Sequence, residues 1–120
     1  MRRLINISNH PSSSWSPEQR ADWDEIFDLP FPAVPPEWDT RQVISLAVEL
    51  GQKVCELSSD LPRGEFPCVM VQGEFSLCTI LYEIFRGEWR FFSPTSERLV
   101  EELPDGRKIV TFRFVRWREI

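Results

Sequence analysis

Three short polar clusters hold the side chains of this sequence that could do chemistry, and each follows an apolar run. Ser8-Asn9-His10 follows Leu4-Ile5-Asn6-Ile7. Gln72-Gly73-Glu74-Phe75-Ser76 follows Val69-Met70-Val71, and Thr95-Ser96-Glu97-Arg98 follows Arg90-Phe91-Phe92. His10 is the only histidine. An imidazole can serve as general acid or base near neutral pH. It can equally bond its own loop or stack on Trp15. Gly73 permits close backbone approach, and unpaired N–H groups at a helix start can receive a phosphate. The strand-to-helix turn alone also accounts for the glycine. Glu74 can orient a ribose hydroxyl, act as a base, or complement the positive end of the helix. Thr95, Ser96 and Arg98 offer two hydroxyls and a guanidinium, a donor set suited to phosphate. Alternatively, Thr95-Ser96 caps a turn and Arg98 pairs with Glu97 or Glu101.

Several function classes drop out. There is no GxGxxG or GxxxxGKS fingerprint, no GxSxG elbow and no aspartate pair for two metals. Any catalysis is therefore expected to be metal-independent and without a cofactor. Cys55, Cys68 and Cys78 make an odd count with no CxxC spacing, so they are read as free thiols of a reducing compartment. The net charge of −5 argues against coating duplex nucleic acid. The basic residues Arg98, Arg107, Lys108, Arg113, Arg116 and Arg118 gather near the C-terminus. They suit one compact phosphate ligand or form the solvated face of a hairpin. No apolar run has the length of a membrane span, and the basic, briefly apolar N-terminus reads as a strand rather than a leader. A cytoplasmic location is expected.

The elements that must position these clusters follow from periodicity and turn chemistry. The 120 residues with 42% apolar content fit a single domain over residues 1–120. Residues 3–8 read as a strand. Ser16-Pro17-Glu18-Gln19 starts a helix running to about Asp24. Ile26–Leu29 is a second strand, closed by the proline-rich segment 30–36. Thr40 is expected to cap a helix from Arg41 to about Leu57, with Val43, Leu46, Ala47, Leu50 and Val54 on one face. Phe66–Val71 is a third strand. A third helix opens at Glu74 or Ser76, with Gly87 at its end, and Trp89–Phe92 is a fourth strand. Asp105-Gly106 between β-rich segments predicts a terminal hairpin. The pattern predicts an α/β fold: a compact Rossmann-like, mostly parallel sheet flanked by helices, with a C-terminal β-hairpin. Strands one and three are expected side by side, with strand four next to strand three. All three polar clusters would then lie at one edge.

The order of these motifs resembles a known group. Ile5-Asn6-Ile7-Ser8-Asn9-His10-Pro11, Val69 through Phe75, Ser93-Pro94-Thr95-Ser96-Glu97-Arg98, Leu103-Pro104-Asp105-Gly106 and Phe112 through Arg118 are similar to the small CRISPR-associated accessory proteins of type III systems. The resemblance implies a Rossmann-like domain related to cyclic-oligoadenylate sensors and to ring nucleases. Such proteins bind cyclic oligoadenylate, usually the tetramer, across a homodimer. They linearise it by attack of a ribose 2′-hydroxyl on the adjacent phosphate, which switches off the antiviral signal, or only sequester it. The catalytic group varies among such proteins, so the resemblance assigns none here; by the character of their side chains, His10, Thr95, Ser96 and Arg98 are the candidate catalytic residues. Ser8, Asn9, Gln72, Gly73, Glu74, Phe75 and Ser76 are the candidate ligand contacts. A ring with rotational symmetry is matched by a two-fold site of identical halves. A small α/β interaction module without a nucleotide ligand is the reading that sets the resemblance aside.

Overall fold

In a computed structural model describing residues 2–120, five strands form one sheet in the order β2-β1-β3-β4-β5. The strands are β1 (Arg3–Ile7), β2 (Glu25–Leu29), β3 (Cys68–Val71), β4 (Arg90–Glu102) and β5 (Lys108–Glu119). Three α-helices are interspersed: α1 (Pro17–Arg20), α2 (Thr40–Leu57) and α3 (Phe75–Phe85). The neighbours β1–β2, β1–β3 and β3–β4 run parallel, and β4–β5 runs antiparallel. As expected, β1 lies beside β3 and β3 beside β4.

The expected compact, Rossmann-like, mostly parallel sheet flanked by helices is not what the chain builds. The sheet is mixed and curls into a half-barrel. Its antiparallel pair spans eleven register positions, whereas the parallel pairs span five, four and two. β4 does not stop at Phe92; it continues to Glu102 as one arm of a long hairpin. The β-rich composition of 90–102 and 108–119 fits two long strands, and the Leu103–Gly106 turn joins them, with Gly106 at φ 86°.

Helix cover is also one-sided. The chain moves one way along the sheet from β1 to β2 and the other way from β2 to β3 and β3 to β4. Right-handed crossovers then put α1 on one face and α2 and α3 on the other. On the α2–α3 face, Val43, Ala47, Leu50, Val54, Leu77 and Leu81 pack on Ile5, Ile7, Val69 and Phe91. On the opposite face α1 is one four-residue turn with no buried residue. Its extent falls short of the predicted Asp24, because Trp23 leaves the helix to pack edge-on against Phe92 and Trp117. Leu4, Met70, Phe92, Trp23 and Trp117 form this second core, with Trp15 and Phe114 against it. Aromatic rings do there what a helix was expected to do.

Local capping follows side-chain chemistry. Ser16 caps α1 by accepting from Gln19 N. Asp39, not Thr40, caps α2: its carboxylate accepts from Gln42 N at 3.0 Å, and Gln42 Oε1 accepts from Asp39 N at 2.9 Å. This reciprocal pair leaves Thr40 as the first helical residue. β3 begins at Cys68 rather than Phe66, because Pro67 has no N–H for the ladder. Among the described residues, no helix is long and apolar enough to cross a membrane.

Candidate functional site

The sheet edge at the C-terminal ends of β1 and β3 is where the first two polar clusters meet. Ile7 pairs with Val71, and Gln72 N donates to Ile7 O at 3.0 Å. From this point the chain after β1 turns toward the Trp face and the chain after β3 turns toward the helices. The loop beginning at Ser8 and the turn beginning at Gln72 therefore leave the sheet at the same edge.

The side chains there divide into two groups. The first is occupied by the protein itself. Ser8 is buried; its Oγ donates to Asn6 Oδ1 at 2.7 Å and accepts from His10 N at 3.1 Å. Glu74 is the N-cap of α3. Its carboxylate accepts from Ser76 N at 3.0 Å, from Leu77 N at 2.9 Å and from the Ser76 hydroxyl. The Ser76 hydroxyl and these amides hold the Glu74 carboxyl below the usual carboxylate range. The helix start expected to cradle a phosphate thus already holds an anion. Gly73 is likewise filled. A Cβ built on it would lie 2.5 Å from the Phe31 ring, and Phe31 is buried with its N–H donating to Ser8 O. The glycine makes room for Phe31 rather than for a ligand.

The second group is free. Asn9, His10, Gln72 and Phe75 are exposed, Phe75 at 82% of its surface. Among the described residues, the side chains of Asn9, His10 and Gln72 make no hydrogen bond within the protein. Three polar groups and one bare aromatic ring are thus exposed in the two segments that follow β1 and β3.

The third cluster is only partly here. β3 and β4 pair at Val69–Phe91, which sets Ser93 level with Val71. Thr95 lies two residues beyond that level, but its hydroxyl donates to Arg116 O at 2.9 Å and accepts from Arg116 N, fixing the hairpin at a β-bulge. Ser96 and Arg98 belong to the projecting arm. At roughly 3.3 Å per residue, Arg98 stands on the order of 15 Å beyond the level of Val71. Glu97 pairs with Arg113 rather than with Arg98. His10, Thr95, Ser96 and Arg98 therefore do not converge as one constellation.

Asn6 and Asp28 escaped the sequence reading. Asn6 is fully buried in β1. Its Nδ2 donates to Asp28 Oδ1 at 2.9 Å and to His10 O at 3.0 Å. Asp28, its register partner on β2, also accepts from Ser12 N and Ser12 Oγ. Trp15 Nε1 donates to His10 O at 3.1 Å. This network ties the His10 main chain down and leaves its ring outward. The signal was present: a single polar residue interrupts each of two apolar strands, and a buried amide needs partners.

A surface cleft of about 410 Å³ lies at the opposite end of the sheet and is lined by Arg2, Arg3, Phe66, Cys68 and Arg90 among others. Arg3 is held by Glu25 and Asp60, and Arg90 by Glu119, so two of its three arginines are already neutralised. Among the described residues, no group of three or more His, Cys, Asp or Glu could hold a metal ion.

The profile of one protein family, described as "Uncharacterized protein MJ1673 family", matches residues 2–118. The chain belongs to the MJ1673 family. The match takes in every strand and helix of the fold but for the last residue of β5, so the half-barrel and its hairpin arm together correspond to the MJ1673 family unit. No curated protein and no solved structure matches the chain.

Proposed function

We propose that this MJ1673-family protein binds a cyclic oligoadenylate at the sheet edge formed by the ends of β1 and β3, and sequesters it in the cytoplasm as part of type III CRISPR signalling. The ligand class rests on the motif resemblance. The observation that supports a site at this edge is the exposed set Asn9, His10, Gln72 and Phe75, left unpartnered where two strands diverge. Phe75 offers a face on which a base can stack. Asn9 and Gln72 offer amides for base edges or phosphate oxygens.

Binding is favoured over rapid cleavage because the other candidate chemical groups are engaged. Glu74 and Ser76 cap α3, and Thr95 braces the hairpin. His10 is the exception, with an exposed ring and no internal bond, and it supports a second reading as a ring nuclease. There the imidazole takes the proton of a ribose 2′-hydroxyl as the oxygen attacks the adjacent phosphorus. The P–O5′ bond breaks, leaving a 2′,3′-cyclic phosphate and a 5′-hydroxyl.

Incubation with radiolabelled cyclic tetra-adenylate in EDTA tests both. A tight complex with intact ring is the expected result, weakened at least tenfold in Phe75→Ala. Linear products that disappear in His10→Ala while binding persists would transfer the assignment to the nuclease. Absence of binding would refute the ligand class.

A further inference from the structure

The hairpin arm is out of proportion to the body that carries it. A compact chain of this length has a radius of gyration of about 14 Å; here it is 16.6 Å, with a long axis of 55 Å. Beyond Ser93 the two strands have only each other as partners within the sheet. A two-stranded hairpin without further packing is marginal in water. This one nevertheless carries its register through to Glu102–Lys108.

Register alternation shows what its two faces present. Phe114 packs with Trp117 in the aromatic core, so Ser96–Phe114, Arg98–Phe112, Val100–Val110 and Glu102–Lys108 all lie on the Trp side of the arm. Phe112 is 69% exposed, Val100 49% and Val110 41%. The aromatic core thus runs out along the arm as an uncovered apolar stripe, bounded at the tip by an acid and a base.

We propose that this face packs against the same face of a second copy of the chain. The stripe is self-complementary about the Val100–Val110 pair. If two arms meet antiparallel, Glu102 of one copy lies over Arg98 of the other, and Phe112 lies over Lys108. If they meet parallel, Glu102 lies over Lys108, and Phe112 lies over Arg98. In both two-fold arrangements valine meets valine, the carboxylate meets a cation, and the ring meets the remaining cation. No like charges oppose. Among the described residues, Arg98, Glu102 and Lys108 have no ion-pair partner within their own chain, whereas Glu97 and Arg113 on the other face pair with each other. Among the described residues Glu101 on the other face is likewise without an ion-pair partner, but Arg98, Glu102 and Lys108 are the open charges that face the proposed interface. This extends the two-copy expectation but stands on the arm alone and not on the nucleotide.

The test is the mass of ligand-free protein by light scattering at tens of micromolar. The expected result is about twice the 14.1 kDa of one chain. Glu102→Arg and Val110→Asp should each shift the protein to a single-chain mass with unchanged circular dichroism. A wild-type monomer, or a dimer untouched by both substitutions, would overturn the proposal. Hydrogen exchange on the wild type covers the case of unfolded variants. Amides of residues 96–114 should lose protection on hundredfold dilution, and concentration-independent exchange there would overturn it. Dimerisation without nucleotide binding would leave this interface standing while the ligand assignment falls.

Discussion

Gly73→Ala separates a glycine kept for a ligand from a glycine kept for Phe31. A Cβ on residue 73 would sit 2.5 Å from the Phe31 ring, well inside contact distance, and the ring is buried. Gly73 does not have positive φ, so alanine meets no backbone strain. Displacing a packed ring by one methyl group costs about 1–3 kcal/mol. Lower unfolded-state entropy returns about 0.4–1 kcal/mol. The net expectation is a loss of up to about 2.6 kcal/mol, read by urea unfolding followed through tryptophan fluorescence. In a Phe31→Leu background the clash is relieved, so the alanine should be neutral or stabilising by about 0.4–1 kcal/mol. The reasoning fails if Gly73→Ala is equally tolerated in both backgrounds. A stable Gly73→Ala protein that has lost only nucleotide binding would return the glycine to the ligand.

Other perturbations bear on the same edge. Asn6→Leu removes the amide that ties Asp28 and the His10 carbonyl, and should cost about 1–3 kcal/mol in urea unfolding. No loss would show that the network is incidental. The Glu74 carboxyl titrates below its unfolded value, so its capping contribution is present above the ordinary carboxylate range and fades as pH falls through the folded pKa. Glu74→Gln should therefore be less stable than wild type at neutral pH and converge with it in acid; parallel melting curves across pH would contradict this. Burial pushes the Cys68 and Cys78 thiols up, while Cys55 is exposed. A thiol reagent followed by mass mapping should label Cys55 first, and prior labelling of Cys68 would contradict the burial assignment.

Much of the local structure is written in neighbouring residues. Serine before proline starts α1, the apolar period of four and three builds α2, and Asp105-Gly106 closes the hairpin. These are short-range effects of capping, periodicity and backbone freedom, and they act before any long-range contact forms. Even the neighbours β1, β3 and β4 follow from alternating strands and helices, because right-handed connections leave few arrangements.

Whether a local signal serves structure or a ligand depends on groups distant in sequence. Nothing around Gly73 says that Phe31, forty-two positions away, fills its Cβ space. Nothing near Trp23 says that Trp117 and Phe92 will take the place of a helix on that face. The length of β4 was hidden because Ser93-Pro94-Thr95-Ser96 looks like a loop until β5 pairs with it and the Thr95 hydroxyl binds the bulge. By itself the sequence determined most of the elements and the polar residues at the strand ends. Only the tertiary structure decided which of those residues are engaged and which remain open, because hydrogen-bond partners and packing volume are set by contacts across the chain.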